Sequence, residues 1–147
     1  MTRIPPVMVI EENPDDFYLI NRRLEAAGVK NHVISFFDGD DAIRHLERAL
    51  AASSPSGIPC VIFTDLKLLG SDGFQVAEWC RHQPGLNSTK IVILTGSQDP
   101  AHLKRAVEIG VDQYLIKFPE ARIFTEIVAS AVACFPRVED GQTSKAP

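Results

Sequence analysis

Five short apolar runs, each followed by a longer segment of helical period, constrain this chain more than any other feature of its sequence. The runs are Val7–Ile10, Val33–Phe37, Cys60–Thr64, Ile91–Leu94 and Tyr114–Ile116. They are β-branched or aromatic and almost continuously hydrophobic, as strands covered on both faces are. After them come Pro14–Ala27, Gly39–Ala52, Gly73–Gln83, Pro100–Ile109 and Ala121–Phe135. In the first of these, Phe17, Ile20 and Leu24 form the stripe of an amphipathic helix. Asn13 can cap it, Pro14 suits its first position, Asp15 and Asp16 favour its positive end, and Gly28 stops it. Strict alternation predicts an α/β protein with a parallel sheet and helices on both faces, joined by right-handed crossovers.

A length of 147 residues suits one domain, and 45% hydrophobic with 23% charged residues is an ordinary globular balance. The net charge of -4 and the scattered basic residues argue against nucleic acid and against an anionic membrane surface. No apolar run approaches the roughly 18 residues of a membrane span, and Met1–Pro6 lacks the pattern of a secretory signal. Cys60, Cys80 and Cys134 have no metal-like spacing and read as reduced, mostly buried thiols of a cytoplasmic protein. Ser53–Pro59 reads as an enlarged loop. Residues 1–136 read as the folded domain, and 137–147 as a loose tail too short for an output domain.

In open α/β sheets, ligands bind beyond the carboxyl ends of the strands. Those ends carry Glu11 and Glu12, then Thr64 and Asp65, then Thr95 with Gly96 and Ser97, and finally Lys117. Crowded carboxylates need a cation, and an all-oxygen cleft beside a phosphate suits Mg²⁺. One carboxylate can then serve as nucleophile toward a phosphoryl group. A lysine and a hydroxyl can neutralise and hydrogen-bond the phosphoryl oxygens. His32, His45, His82 and His102 lack ligand spacing and read as surface residues, while Phe74 and Trp79 read as packing on the sheet.

Six stretches in order carry a family resemblance: Val9–Asp16, Phe37–Ala42, Thr64–Lys67, Ser71–Phe74, Ile93–Ser97 and Gly110–Lys117. Together they resemble the response-regulator receiver domain of two-component signalling, over about residues 5–135. The resemblance implies the flavodoxin-like (βα)5 fold, with strands one, three, four and five adjacent. It makes Asp65 the phospho-acceptor, and Glu11, Glu12, Asp65 and the Lys67 backbone carbonyl the ligands of Mg²⁺ or Mn²⁺. Thr95 matches the switch hydroxyl, Tyr114 the aromatic that changes rotamer, and Lys117 the phosphoryl-binding lysine. The partner it implies is a sensor histidine kinase, with the signal passed on by protein contact or by onward phosphotransfer. The Asn-Pro-Asp-Asp start, the enlarged loop and the lack of an output segment resemble small regulators paired with bacterial phytochrome kinases.

Three departures stand out. Position 12 is Glu where the family usually has Asp, and Leu69 replaces a usual Pro. Phe118 follows Lys117, with Pro119 one residue late. A cis bond before a residue other than proline costs ~3–4 kcal/mol, so Lys117–Phe118 is expected to be trans, or the turn to use Phe118–Pro119. The departures keep open a degenerate receiver that binds partners without phosphorylation. An aspartyl-phosphate hydrolase is disfavoured, because Lys67 stands where such enzymes usually place a second Asp. The chain is therefore read as a signalling module rather than an enzyme, apart from its own phosphorylation and dephosphorylation. Val107, Ile109, Phe118, Ile123, Phe124, Ile127 and Val128 exceed one buried stripe. The region Ala101–Phe135 is therefore expected to expose an apolar face for a two-fold dimer.

Overall fold

The computed structural model describes residues 4–52 and 55–136. Five parallel strands, β1 (Val7–Ile10), β2 (Val33–Phe36), β3 (Val61–Thr64), β4 (Lys90–Thr95) and β5 (Gln113–Ile116), form one sheet in the order β2-β1-β3-β4-β5. The helices are α1 (Pro14–Ala26), α2 (Gly39–Ala51), α3 (Gly73–Arg81), α4 (Pro100–Ile109) and α5 (Ala121–Cys134). The alternation predicts the parallel sheet, and the strand order is the flavodoxin-like one that the resemblance implies.

Burial follows position in the sheet. Every residue of the central strands β1 and β3 is buried, whereas the edge strands β2 and β5 are only half-buried. The expectation of full cover on both faces fails at these edges, where a strand lacks one neighbour and its helices overhang less. One face packs Val9, Phe63, Val92 and Leu94 against Ile20 and Leu24 of α1 and Phe124 and Ile127 of α5. The other packs Met8, Ile10 and Ile62 against Leu46 of α2 and Val76 and Ala77 of α3. Burying two such sheets of side chains is the main stabilising term of a domain this size.

Helix starts follow their capping residues. Asn13 accepts from the backbone amides of Asp15 and Asp16, and Asp38 from those of Asp40 and Asp41. Asp72 and Gln75 form a reciprocal capping box at α3. At the other end of α1, Gly28 (φ 75°) makes the left-handed turn, two residues beyond the last helical one. Among the described residues of the expected loop, Pro55–Gly57 forms a 3₁₀ turn, and Pro84–Leu86 forms another between α3 and β4. The tail at 137–147 lies outside the described residues.

Several smaller expectations change. His45 and His102 are half-buried rather than on the surface: His45 Nε2 lies 3.1 Å from the Gly57 carbonyl, and His102 Nδ1 lies 2.6 Å from Ser97 Oγ. Phe74 is buried and Trp79 half-buried, as expected. Cys60 and Cys80 are buried thiols, which burial pushes up to about 11 and about 12, while Cys134 is exposed.

Candidate functional site

The carboxyl ends of β1, β3 and β5 meet at Lys117. Its Nζ donates to Glu11 Oε1 at 2.6 Å, Asp16 Oδ2 at 2.8 Å and Asp65 Oδ2 at 3.0 Å. Glu11 follows β1 and Asp65 follows β3, and the sheet register sets Ile10 beside Thr64, which brings the two acids to the same edge. The remaining oxygens of Glu11 and Asp65 are also engaged. Glu11 Oε2 accepts from the Asn13 amide at 3.1 Å, and Asp65 Oδ1 from the Leu66 amide at 2.7 Å.

The cluster is deeply set. The Glu11 side chain is 1% exposed and that of Lys117 is 9% exposed. Burial raises Glu11 above the ordinary carboxylate range, and the nearby Asp65 charge adds to this; the Lys117 and Asn13 hydrogen bonds oppose it. Burial alone would lower Lys117, yet its hydrogen bonds to Asp16, Glu11 and Asp65 outweigh burial and raise it above the ordinary lysine range. A positively charged lysine is thereby fixed beside Asp65.

Of the expected site residues, the structure joins Glu11, Asp65 and Lys117. Glu12 is half-buried beside them without a hydrogen bond to any of the three. Thr95 is buried, and its Oγ1 accepts from the Ser97 amide at 3.1 Å, which leaves its proton free to donate. Tyr114 packs against the cluster of Leu66, Phe74, Ile93 and Ala106, and its hydroxyl donates to the Ser97 carbonyl at 3.0 Å. Asp16 is the residue sequence reasoning missed. By sequence it is a helix-dipole acid, but the first turn of α1 carries it back to the edge where Lys117 reaches it.

The Lys117–Phe118 bond is cis, which corrects the expectation of a trans bond. Both sides of the turn are anchored. The Lys117 amide donates to Thr95 O and its ammonium is held by three carboxylates. Phe118 packs against the α1–α5 core, and Arg23 Nε donates to Pro119 O at 3.2 Å. The aim of Lys117 into the site is thus set without proline at position 118.

Glu11, Glu12, Asp16 and Asp65 place four carboxylates at this rim against the single ammonium of Lys117. Such an all-oxygen, acid-rich set has the chemistry of a hard divalent cation site, although among the described residues no three His, Cys, Asp or Glu side chains are already arranged to hold a metal ion. A cavity of about 420 Å³ lies elsewhere, against β5 and α5, lined in part by Lys90, Leu115, Ile123 and Ile127. It contains none of the site residues.

A doubly wound five-stranded sheet with paired acids, an Asp and a strand-end Lys gathered at its carboxyl edge is the frame of a two-component receiver domain. The response regulator receiver domain matches residues 7–128, and the chain belongs to that family. It is similar to response regulator Rcp1 of Synechocystis sp., 27% identical over 115 residues, covering 77% of this chain and 78% of the relative. A crystal structure of the Mn(2+)-bound form of Rcp1 superposes with TM-score 0.67 at 26% identity, covering 86% of this chain and 91% of that one. The bacteriophytochrome response regulator AtBRR gives TM-score 0.74 at 28% identity, covering 94% of this chain and 99% of that one.

Proposed function

We propose that this receiver domain takes a phosphoryl group onto Asp65 from a sensor histidine kinase and passes the signal on by protein contact. The observation that carries this reading is Lys117 Nζ bonded at once to Asp65, Glu11 and Asp16. An Asp65 oxygen forms the new bond to phosphorus as the phosphorus–nitrogen bond of the donor phosphohistidine breaks and the imidazole leaves. Lys117 neutralises phosphoryl oxygen charge, and the Thr95 hydroxyl donates to one of those oxygens. Glu11, Glu12, Asp65 and the Lys67 carbonyl would hold Mg²⁺ or Mn²⁺, which supplies further charge neutralisation when bound. The similarity to the bacteriophytochrome response regulator AtBRR supports a phytochrome-type kinase as the donor. Incubation with acetyl phosphate and Mg²⁺ should add one phosphoryl mass to the intact protein. No adduct under any donor would favour a binding module that works without phosphorylation.

Glu12→Gln is expected to weaken Mg²⁺ or Mn²⁺ binding by about tenfold, because affinity in such sites follows charge count. Calorimetry or paramagnetic NMR broadening measures it, and equal affinity in both proteins would remove Glu12 from the ligand set.

The signalling surface we assign to α4, β5 and α5. Of the seven apolar residues expected there, Val107 is 70% exposed, while Phe124, Ile127 and Val128 are buried and Ile109, Phe118 and Ile123 half-buried. Leu103 (49%) and Ile116 (41%) extend the exposed patch on the α4–β5 side. Phosphorylated protein is expected to sediment as a dimer and Val107→Glu to remain monomeric. A monomer in both states would leave this face to a different protein.

A further inference from the structure

The stretch Phe37–Ala42 matches the family pattern but takes no part in the cluster around Lys117, and its contacts show what it does. At the carboxyl end of β2, Asp38 forms a parallel bridge with Leu69, and the Gly39 amide donates to Leu69 O at 3.0 Å. One residue on, Asp40 Oδ1 accepts from both the amide of Ser71 (3.1 Å) and its hydroxyl (2.5 Å). These bonds hold the Asp40 carboxyl below the usual carboxylate range. The two chains approach as closely as backbone permits. A Cβ at Gly39 would overlap the Ser71 carbonyl, and Gly70 (φ 71°) lies with its Cα face against the Asp38 and Asp40 carboxylates.

The clasped segment, residues 66–72, is the one that leaves Asp65. Its first amide, Leu66 N–H, is bonded to Asp65 Oδ1, and the Leu66 carbonyl accepts from Gly73 N at 2.9 Å. Leu69, where the family pattern has proline, lacks that residue's fixed φ, and the contacts on this turn are those from the β2–α2 corner. We infer that the Asp40–Ser71 clasp positions the segment after Asp65, making Asp40 and Ser71 positioning residues for the acceptor and for the Lys67 carbonyl. This rests on the reading of Asp65 and Lys67 given above. It assigns to the β2–α2 corner, from outside the acidic cluster, control over how Asp65 is presented.

The test uses the full chain in four variants: Asp40→Ala, Ser71→Ala, Ser71→Thr and Asp41→Ala. Asp41→Ala is the control, because it removes an acid from the same helix start without touching Ser71. NMR hydrogen exchange of the metal-free protein should show the Leu66 amide exchanging about tenfold faster in Asp40→Ala and Ser71→Ala. Ser71→Thr, which keeps the hydroxyl, should restore the wild-type rate, and Asp41→Ala should leave it unchanged. Buried amides of β4, such as Ile93, should exchange alike in all four. Titration with Mn²⁺ should show about tenfold weaker binding in the two clasp variants only. Wild-type exchange of Leu66, or wild-type Mn²⁺ affinity, in both Asp40→Ala and Ser71→Ala would overturn the proposal. Absence of Mn²⁺ binding by the wild type would instead overturn the reading of the site, and the Leu66 amide alone would then decide the clasp.

Discussion

Asp65→Asn is expected to reduce labelling by acetyl phosphate to background, a loss of at least about a hundredfold, with the fold unchanged. The amide keeps the side chain's shape, and its oxygen can still accept from the Leu66 amide as Asp65 Oδ1 does at 2.7 Å. Lys117 keeps Glu11 and Asp16, so no buried charge is stranded. What is lost is the nucleophile: an amide oxygen carries no full charge and forms no stable acyl phosphate. Intact-mass measurement over time checks this, with circular dichroism to confirm the fold. An adduct that forms at the wild-type rate would move the acceptor, with Asp72 and Glu12 the next carboxylates to test.

The parts of this molecule that local patterning governs were legible in the sequence. Continuous apolar runs gave β1 and β3, the capping residue Asn13 placed the start of α1, and the residue after each run placed Glu11, Asp65 and Lys117 on one edge. Three features were not legible, each because it depends on contacts distant in sequence. Asp16 reads as a dipole acid until Lys117, one hundred and one residues away, is seen to reach it. The turn at Lys117–Phe118, cis rather than trans, is flanked by contacts from distant segments: Thr95, Arg23 and the three carboxylates. The Asp40–Ser71 pair looks like two ordinary polar residues, because nothing within either segment signals that β2 and β3 bring their following loops together. The apolar count in α5 misled for a related reason. Phe124, Ile127 and Val128 serve the core under β4, and the exposed side chains come instead from α4 and the edge strand.

Lys117→Met is expected to lower stability in metal-free buffer at pH 7 by about 3–5 kcal/mol, the usual consequence of removing one partner from a buried ion cluster. Methionine fills much the same volume, so the cost arises from Glu11, Asp16 and Asp65 facing one another without a cation. Glu11 is the critical member, because at 1% exposure it cannot recover solvation from water. Already raised by burial, it rises further once the ammonium is gone and binds a proton in the native state that the unfolded chain does not bind at the same pH. The sign follows from that difference. With more protons on the native state, stability falls as pH climbs from the ordinary glutamate value of about 4.3 through the raised native value. The deficit against wild type should therefore be greatest at pH 7 and shrink toward pH 5. A divalent cation supplies the other route to neutralisation, so saturating Mg²⁺ should narrow the deficit at pH 7, by an amount set by its affinity for the native state. Urea unfolding of both proteins at pH 5 and pH 7, with chelator or with Mg²⁺, measures all three effects. A variant as stable as wild type would mean that Lys117 does not hold the three carboxylates in solution. A deficit equal at both pH values would place the loss in packing around Phe118 rather than in the charge cluster.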